Sequence, residues 1–425
     1  MRSPGRRRLL LSAGALALGG AAALRPRDRG LAHDPYFSRL TDALRQAGIA
    51  VPTLIIDRER MLENAGRLRS DLRGRLDLRL VAKSLPSLPL LQDLAHATGS
   101  QGLMSFSLPH LQHLAAHLPD ERQLLGKPLP ADAAARFLRE ARARDRRPPR
   151  VQWLIDTPER LLQYRALSQG LDLPLDINLE IDVGLHRGGI DDPRGLQRII
   201  DILRDSPRLR WSGLMGYDAH VAKLPDVAGL RAQADRHAKQ RYADFLDRML
   251  RAFPATDPRG LTLNTGGSLT YRNHDGQGAA REVAVGSALL KPSDFDTEPL
   301  AGYRPAVFIA TPVLKAAPFR PPQGVEWLGP VLRAWDPNSR QAYMIYGGHW
   351  MADPVSPPGI EANALYGPSS NQQVLTGSGR QALGPDDFIF FRPRQSEALL
   401  LQFGDIAVVE DGRVAAAWAP LLATA

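Results

Sequence analysis

The 425-residue chain predicts an α/β fold, a (β/α)8 TIM barrel followed by a smaller all-β C-terminal domain, on three observations. Eight short apolar or β-branched runs alternate with stretches of helical periodicity between about residues 76 and 290. Polar residues that a core would not select stand at or just past the C-terminal ends of those runs, the end at which such barrels carry their sites. From about residue 300 the alternation stops, and short strand-like runs separated by Gly, Pro, Asn and Asp follow. The expected organisation is a leader over residues 1–30, a barrel over 45–300 and a β-domain over 301–425 that covers the site.

The leader reads "MRSPGRRRLLLSAGALALGGAAALRPRDRG". Arg6, Arg7 and Arg8 precede an apolar run from Leu9 to about Leu24, a basic region followed by a hydrophobic export core. Arg-Arg-x-Leu-Leu resembles a twin-arginine export signal, so a periplasmic location is expected. An uncleaved anchor is the competing reading, although the run is short for a spanning helix. These 30 residues hold seven Arg and one Asp, so six of the nine net positive charges leave with them. The small remainder makes no case for a nucleic-acid partner. Cysteine is absent, which removes disulfides and thiolate chemistry from consideration.

The barrel strands follow in order as "LDLRLVAK", "GLMSFS", "RQLLGKP", "RVQWLID", "LDINLEIDV", "LRWSGLMGYD", "GLTLN" and "REVAVGSALL". Between them "SLPLLQDLAHAT" and "DPRGLQRIIDILRDS" repeat apolar residues at intervals of three and four, the helical signature. Lys83, Ser105, Lys127, Asp156, Arg187, Tyr217 and His220 all fall at C-terminal strand ends. After residue 300, "AVFIATPVLKAA", "QAYMIYGGHW", "DFIFFRP", "ALLLQFGDIAVVEDG" and "RVAAAWAPLL" read as strands, with no helix expected among them. The Pro- and Gly-rich "VSPPGIEANALYGPSSNQQ" between them reads as a long loop.

Three stretches carry chemistry. Lys83 ends a Leu- and Val-rich run, where an ammonium is costly unless paired or used; a partly desolvated amine there can condense with an aldehyde as a Schiff base. The alternative is a structural lysine paired with a carboxylate. "NTGGS" (264–268) follows the seventh strand and "VAVGS" (283–287) the eighth, the two loops with which barrels commonly hold phosphate. Thr265, Gly266, Gly267, Ser268, Gly286 and Ser287 are the candidate donors. In "EIDVGLHRGGI" Arg187 is flanked by Gly184, Gly188 and Gly189, so its guanidinium can come close to a flat ring and stay ionised.

Together, "VPTLIIDRERMLENAGRL", "VAKS", "EIDVGLHRGGI", "GLMGYDAH", "NTGGSLTY" and "VAVGSALL" follow one another in an order that resembles the fold-type III pyridoxal phosphate enzymes, the group built on the alanine racemase N-terminal barrel. Within it the sequence is most similar to the D-threonine aldolase and eukaryotic-type D-serine dehydratase group, from about residue 45 onward. The resemblance implies pyridoxal phosphate joined to Lys83, which would also act as base at Cα. It implies Arg187 beside the cofactor ring, Tyr217 against the cofactor, and Gly266, Gly267 and Ser268 around the phosphate. It sets His220, in "GYDAH", near the substrate. It further implies a head-to-tail homodimer.

The C-terminal domain departs from that pattern. Members of the group carry a histidine and, two residues on, an Asp or Cys that hold a divalent metal. Here "RPRQSEALLL" sets Gln395 and Glu397 at those positions, and Gln is a poor transition-metal ligand. The metal is therefore doubtful. Glu397 becomes a candidate acid or base, or else a partner of Arg392 or Arg394, and His349 in "YGGHW" a possible replacement ligand. The leading expectation is a lyase acting on D-3-hydroxy amino acids, with a racemase or epimerase and a non-catalytic cofactor carrier as alternatives.

Overall fold

The computed structural model describes residues 25–100, 102–143 and 150–422. The leader up to residue 24 lies outside the described residues. The chain forms two units. One comprises Ile56–Val307, Arg394–Glu410 and Ala415–Ala425; the other comprises Met1–Ile55, Phe308–Pro393 and Asp411–Val414.

The first unit is a closed parallel barrel of β1 (Asp77–Val81), β2 (Gly102–Ser105), β3 (Arg122–Leu125), β4 (Val151–Ile155), β5 (Leu175–Glu180), β6 (Leu209–Gly216), β7 (Thr262–Thr265) and β8 (Glu282–Val285). All eight predicted strands are present, and β1 closes on β8 with Leu78 opposite Val283 and Leu80 opposite Val285. Around it run α1 (Arg58–Leu72), α2 (Leu88–Thr98), α3 (Leu108–His117), α4 (Ala131–Ala143), α5 (Pro158–Leu171), α6 (Pro193–Arg204) and α7 (Leu230–Ala252).

Local chemistry starts these helices where the strands let go. Ser107, Thr157 and Asp192 cap α3, α5 and α6, each accepting from main-chain N–H groups of the first turn, with Pro in that turn to fix its φ. α6 then buries Leu196, Ile199, Ile200 and Leu203, one stripe at helical spacing, against the barrel. Trp153, Tyr164, Ile177, Leu179 and Leu214 belong to the same core, all at most 1 % exposed.

One charged pair lies inside the barrel. Arg79 on β1 is fully buried and meets Glu282 at the start of β8 through two hydrogen bonds of 2.7 and 2.9 Å. Its Nη1 group donates to the carbonyls of Leu103 and Arg122, and Asn264 donates to Glu282, so both members of this buried pair have further polar partners.

In the second unit β9 (Val307–Pro318), β10 (Gln341–Ile345), β11 (Ala352–Ser356), β12 (Glu361–Ala362), β13 (Val374–Gly377) and β14 (Phe388–Pro393) pair antiparallel. β9 lies between β10 and β14; β11 adds to β14, and β13 joins β10 to β12. The expectation of no helix after residue 300 is corrected by Gly329–Trp335, which continues a 3-10 turn at Glu326–Leu328. Gly329 and Pro330 hid it in the sequence, yet Pro in a first helical turn is tolerated because the N–H it lacks has no partner there.

Candidate active site

Lys83 sits two residues beyond β1, not within it, and so escapes the core that its apolar neighbours occupy. Its Nζ lies 2.7 Å from Oε1 of Glu397, with the two side chains 39 % and 41 % exposed. Its ammonium also stands 4.8 Å from the ring centroid of Phe106, just past β2. A pair this exposed contributes at most about 1 kcal/mol. Stability alone does not explain a lysine at this place.

The two glycine-bearing loops meet beside it. The Ser268 hydroxyl accepts from the N–H of Ala288 at 3.1 Å and of Gly286 at 3.4 Å, tying the loop after β7 to the loop after β8. Both loops are packed too tightly for side chains. A Cβ on Gly267 would lie 2.8 Å from the ring of Tyr217, and one on Gly286 would lie 2.9 Å from Cβ of Ser84, the residue after Lys83. Gly266 has φ +61°, which favours glycine. Thr265 donates to the Gly216 carbonyl at 2.9 Å, and the Ser287 hydroxyl faces that of Ser396 at 3.3 Å.

The loop after β5 carries Arg187, whose guanidinium carbon lies 5.4 Å from the Tyr217 ring centroid. Asp182 shapes this loop by accepting from the N–H groups of Gly184 and His186 and pairing at 2.7 Å with the His186 ring. Burial pushes the Asp182 carboxyl up, but those hydrogen bonds outweigh it and hold it below its ordinary value. Ser84, next to Lys83, is thus linked through Gly286, Ser268, Gly267 and Tyr217 to Arg187 around one mouth.

His220 packs elsewhere in the site, over Gly184: a Cβ there would be 3.0 Å from Nε2 of His220 and 3.7 Å from the His237 ring. Burial lowers the His220 pKa, and its buried Nδ1 has no hydrogen-bond partner.

Glu397, expected as an acid or base or as a partner of Arg392 or Arg394, pairs with Lys83. The Gln395 amide donates to Asp294 at 3.1 Å. A primary amide so engaged and a carboxylate bound to an ammonium do not fit a transition metal, and no group of three His, Cys, Asp or Glu among the described residues is arranged to hold one. His349 belongs to the other unit and takes its N–H to the Gln373 side chain.

Several residues escaped the sequence reading. Asp218 accepts from Thr270 at 2.6 Å and pairs with His274 at 2.8 Å, while the Thr270 hydroxyl accepts from the Gly267 N–H, so Asp218 steadies the loop after β7 from behind. Glu180 ends β5 next to Asp156, since Ile155 is paired with Leu179 on the neighbouring strand. Burial, with Asp156 second, pushes the Glu180 carboxyl up to about 7 despite Arg187.

The residues fit pyridoxal phosphate. A lysine amine, a cation alongside an aromatic ring and two loops closed to any Cβ surround one mouth at the C-terminal ends of the strands.

Residues 56–294 match the family described as the alanine racemase N-terminal domain. No curated protein matches the chain in sequence. Among solved structures, D-threonine aldolase from Filomicrobium marinum is 17 % identical with a TM-score of 0.67, over 93 % of this chain and 98 % of that one. D-threo-3-hydroxyaspartate dehydratase from a Delftia species is 17 % identical with a TM-score of 0.68, over 88 % and 98 %. Alanine racemase from Bacillus anthracis is 12 % identical with a TM-score of 0.65, over 87 % and 97 %.

Proposed function

The chain belongs to the alanine racemase N-terminal domain family, whose cofactor is pyridoxal phosphate, and from that membership we propose that it is a lyase acting on D-3-hydroxy amino acids. The observation that carries this reading is the pair of Lys83 and Glu397 at 2.7 Å. A racemase needs a base on each face of Cα. A lyase needs a base at Cα and a second group that handles the proton of the β-hydroxyl, and a carboxylate beside the lysine suits that second task.

When bound, pyridoxal phosphate draws electron density away from the Cα of an amino acid joined to it. The chain's own residues do the rest. Lys83 is the amine that holds the cofactor and that takes or returns the proton at Cα. Glu397 takes the β-hydroxyl proton when Cα–Cβ breaks, or delivers one when the hydroxyl departs. Ser268, Gly267, Gly286 and Ser287 would hold the phosphate, and Tyr217 and Arg187 would stand beside the ring. The likeness to D-threonine aldolase and D-threo-3-hydroxyaspartate dehydratase supports this substrate class.

With Gln395 in place of a histidine, the donor set at Gln395 and Glu397 is a poor one for a transition metal, and the proposed reaction assigns no step to one. We further infer a head-to-tail homodimer and export to the periplasm, the latter from Arg6, Arg7 and the run Leu9–Leu24. No described helix is long and apolar enough to cross a membrane.

The test is incubation of purified protein with D-threonine and D-3-hydroxyaspartate in deuterated water. Carbonyl or keto-acid product supports the lyase; the Cα epimer labelled at Cα (L-allo-threonine from D-threonine), without cleavage, replaces it with the racemase reading.

A further inference from the structure

We propose that Asp218 is a positioning residue of the cofactor site: through Thr270 and His274 it fixes the Gly266–Gly267 turn beside Tyr217, and so sets how tightly the phosphate of the cofactor is held. This role rests on the fit of pyridoxal phosphate to the mouth described above.

Asp218 follows Tyr217 just past the end of β6 and precedes the short helix Ala219–Lys223. An Asp in that place ordinarily accepts from the first N–H groups of its own helix. Here the side chain makes no such bond. It turns inward instead, with only 1 % of the residue exposed, where a carboxylate is costly unless its oxygens are occupied. Oδ1 accepts from the Thr270 hydroxyl at 2.6 Å, and Oδ2 lies 2.8 Å from Nε2 of His274.

Each partner leads to one of the two glycines. The Thr270 hydroxyl, while donating to Asp218, accepts from the N–H of Gly267 at 3.0 Å. A carboxylate can only accept, so the single hydroxyl proton points at Asp218 and leaves a lone pair for Gly267. The His274 ring packs against Gly266, with Cδ2 3.2 Å from the place a Cβ would take. On its other side the turn is held by Ser268, which accepts from Gly286 and Ala288 of the loop after β8. Asp218 is the matching anchor on the β6 side. Hydrogen bonds to a charge are stronger than neutral ones, and a turn ordered before its ligand arrives spends less binding energy on being ordered.

The test titrates the cofactor-free full chain with pyridoxal phosphate and with pyridoxal, which lacks the phosphate, followed by absorbance. Thr270→Val keeps the size and removes the hydroxyl; Thr270→Ser keeps the hydroxyl. Thr270→Val should bind pyridoxal phosphate about tenfold more weakly, the scale of one hydrogen bond to a charged group, while its affinity for pyridoxal changes by less than about threefold. Thr270→Ser should restore the wild-type ratio of the two affinities. A merely structural role would lower both affinities together. That outcome overturns the proposal, as does an unchanged ratio in Thr270→Val or a failure of Thr270→Ser to restore it. Where Thr270→Val does not fold, Asp218→Asn, alike in shape but uncharged, carries the test: a phosphate-selective loss of about threefold or more is expected, and its absence overturns the proposal. Wild type that takes up neither compound overturns the cofactor reading and this role with it; wild type that binds both, with variants that match it, overturns the role of Asp218 alone.

Discussion

The carboxylate of Glu397 stands 2.7 Å from the amine of Lys83, although 313 positions separate them in the chain. Residues 394–410 belong to the barrel unit even though the strands before them belong to the other, and this return of the chain brings the carboxylate to the mouth. The site is thus completed by a segment that barrel periodicity does not include.

Replacing Lys83 by Ala should remove both the anchor and the base. Activity is expected to fall by more than about 10,000-fold, since proton transfer alone is worth about 100- to 10,000-fold. Borohydride reduction of the wild type followed by peptide mapping should find the pyridoxyl group on Lys83 and nowhere else.

Glu397→Gln keeps the shape and removes the charge. Turnover should drop by about 100-fold or more while cofactor absorbance is retained. Prolonged dialysis against a chelator should leave wild-type activity unchanged; restoration by added manganese or zinc would contradict the metal-free reading.

Gly267→Ala places a Cβ 2.8 Å from the Tyr217 ring. The loop or the ring must move, and overpacking of roughly 1–3 kcal/mol predicts cofactor affinity weaker by about tenfold. Titration of the cofactor-free protein with pyridoxal phosphate reads this directly.

Glu180 gives a pH signature. Its carboxyl rises from 4.5 in the unfolded chain to about 7 in the folded one, with burial the first cause. The folded state therefore holds the proton more tightly, so this contribution is fully present below pH 4.5 and is lost as pH rises through about 7. At full ionisation the loss is on the order of 3 kcal/mol. Denaturant midpoints of the wild type should fall across that window, and those of Glu180→Gln should fall less.

Changing Arg6 and Arg7 to Lys should keep the protein inside the cell, measured by fractionation. Continued export would exclude the twin-arginine route.

The eight strands and the two glycine-bearing loops were legible because each left a local mark: a β-branched run, consecutive glycines, a lysine after Leu and Val. Lys83 and Arg187 stood out as charges in apolar or glycine-rich company. Glu180 and Asp218 carried no such mark, since their importance comes from Asp156 and Thr270 on other strands and turns. Glu397 was reachable only through the resemblance. The helix Gly329–Trp335 stayed hidden because its largest residues face outward, reversing the pattern by which amphipathic helices are found.

The buried pair of Arg79 and Glu282 joins the first strand of the barrel to the last. Synthesis runs from one to the other, so the guanidinium waits unanswered until the final strand arrives in step. A ring closed one position out of register would strand a bare cation in hydrocarbon, a fault far costlier than a misplaced leucine. The pair works as a checksum on assembly: it makes the correctly wound barrel the only version in which the account of charges closes.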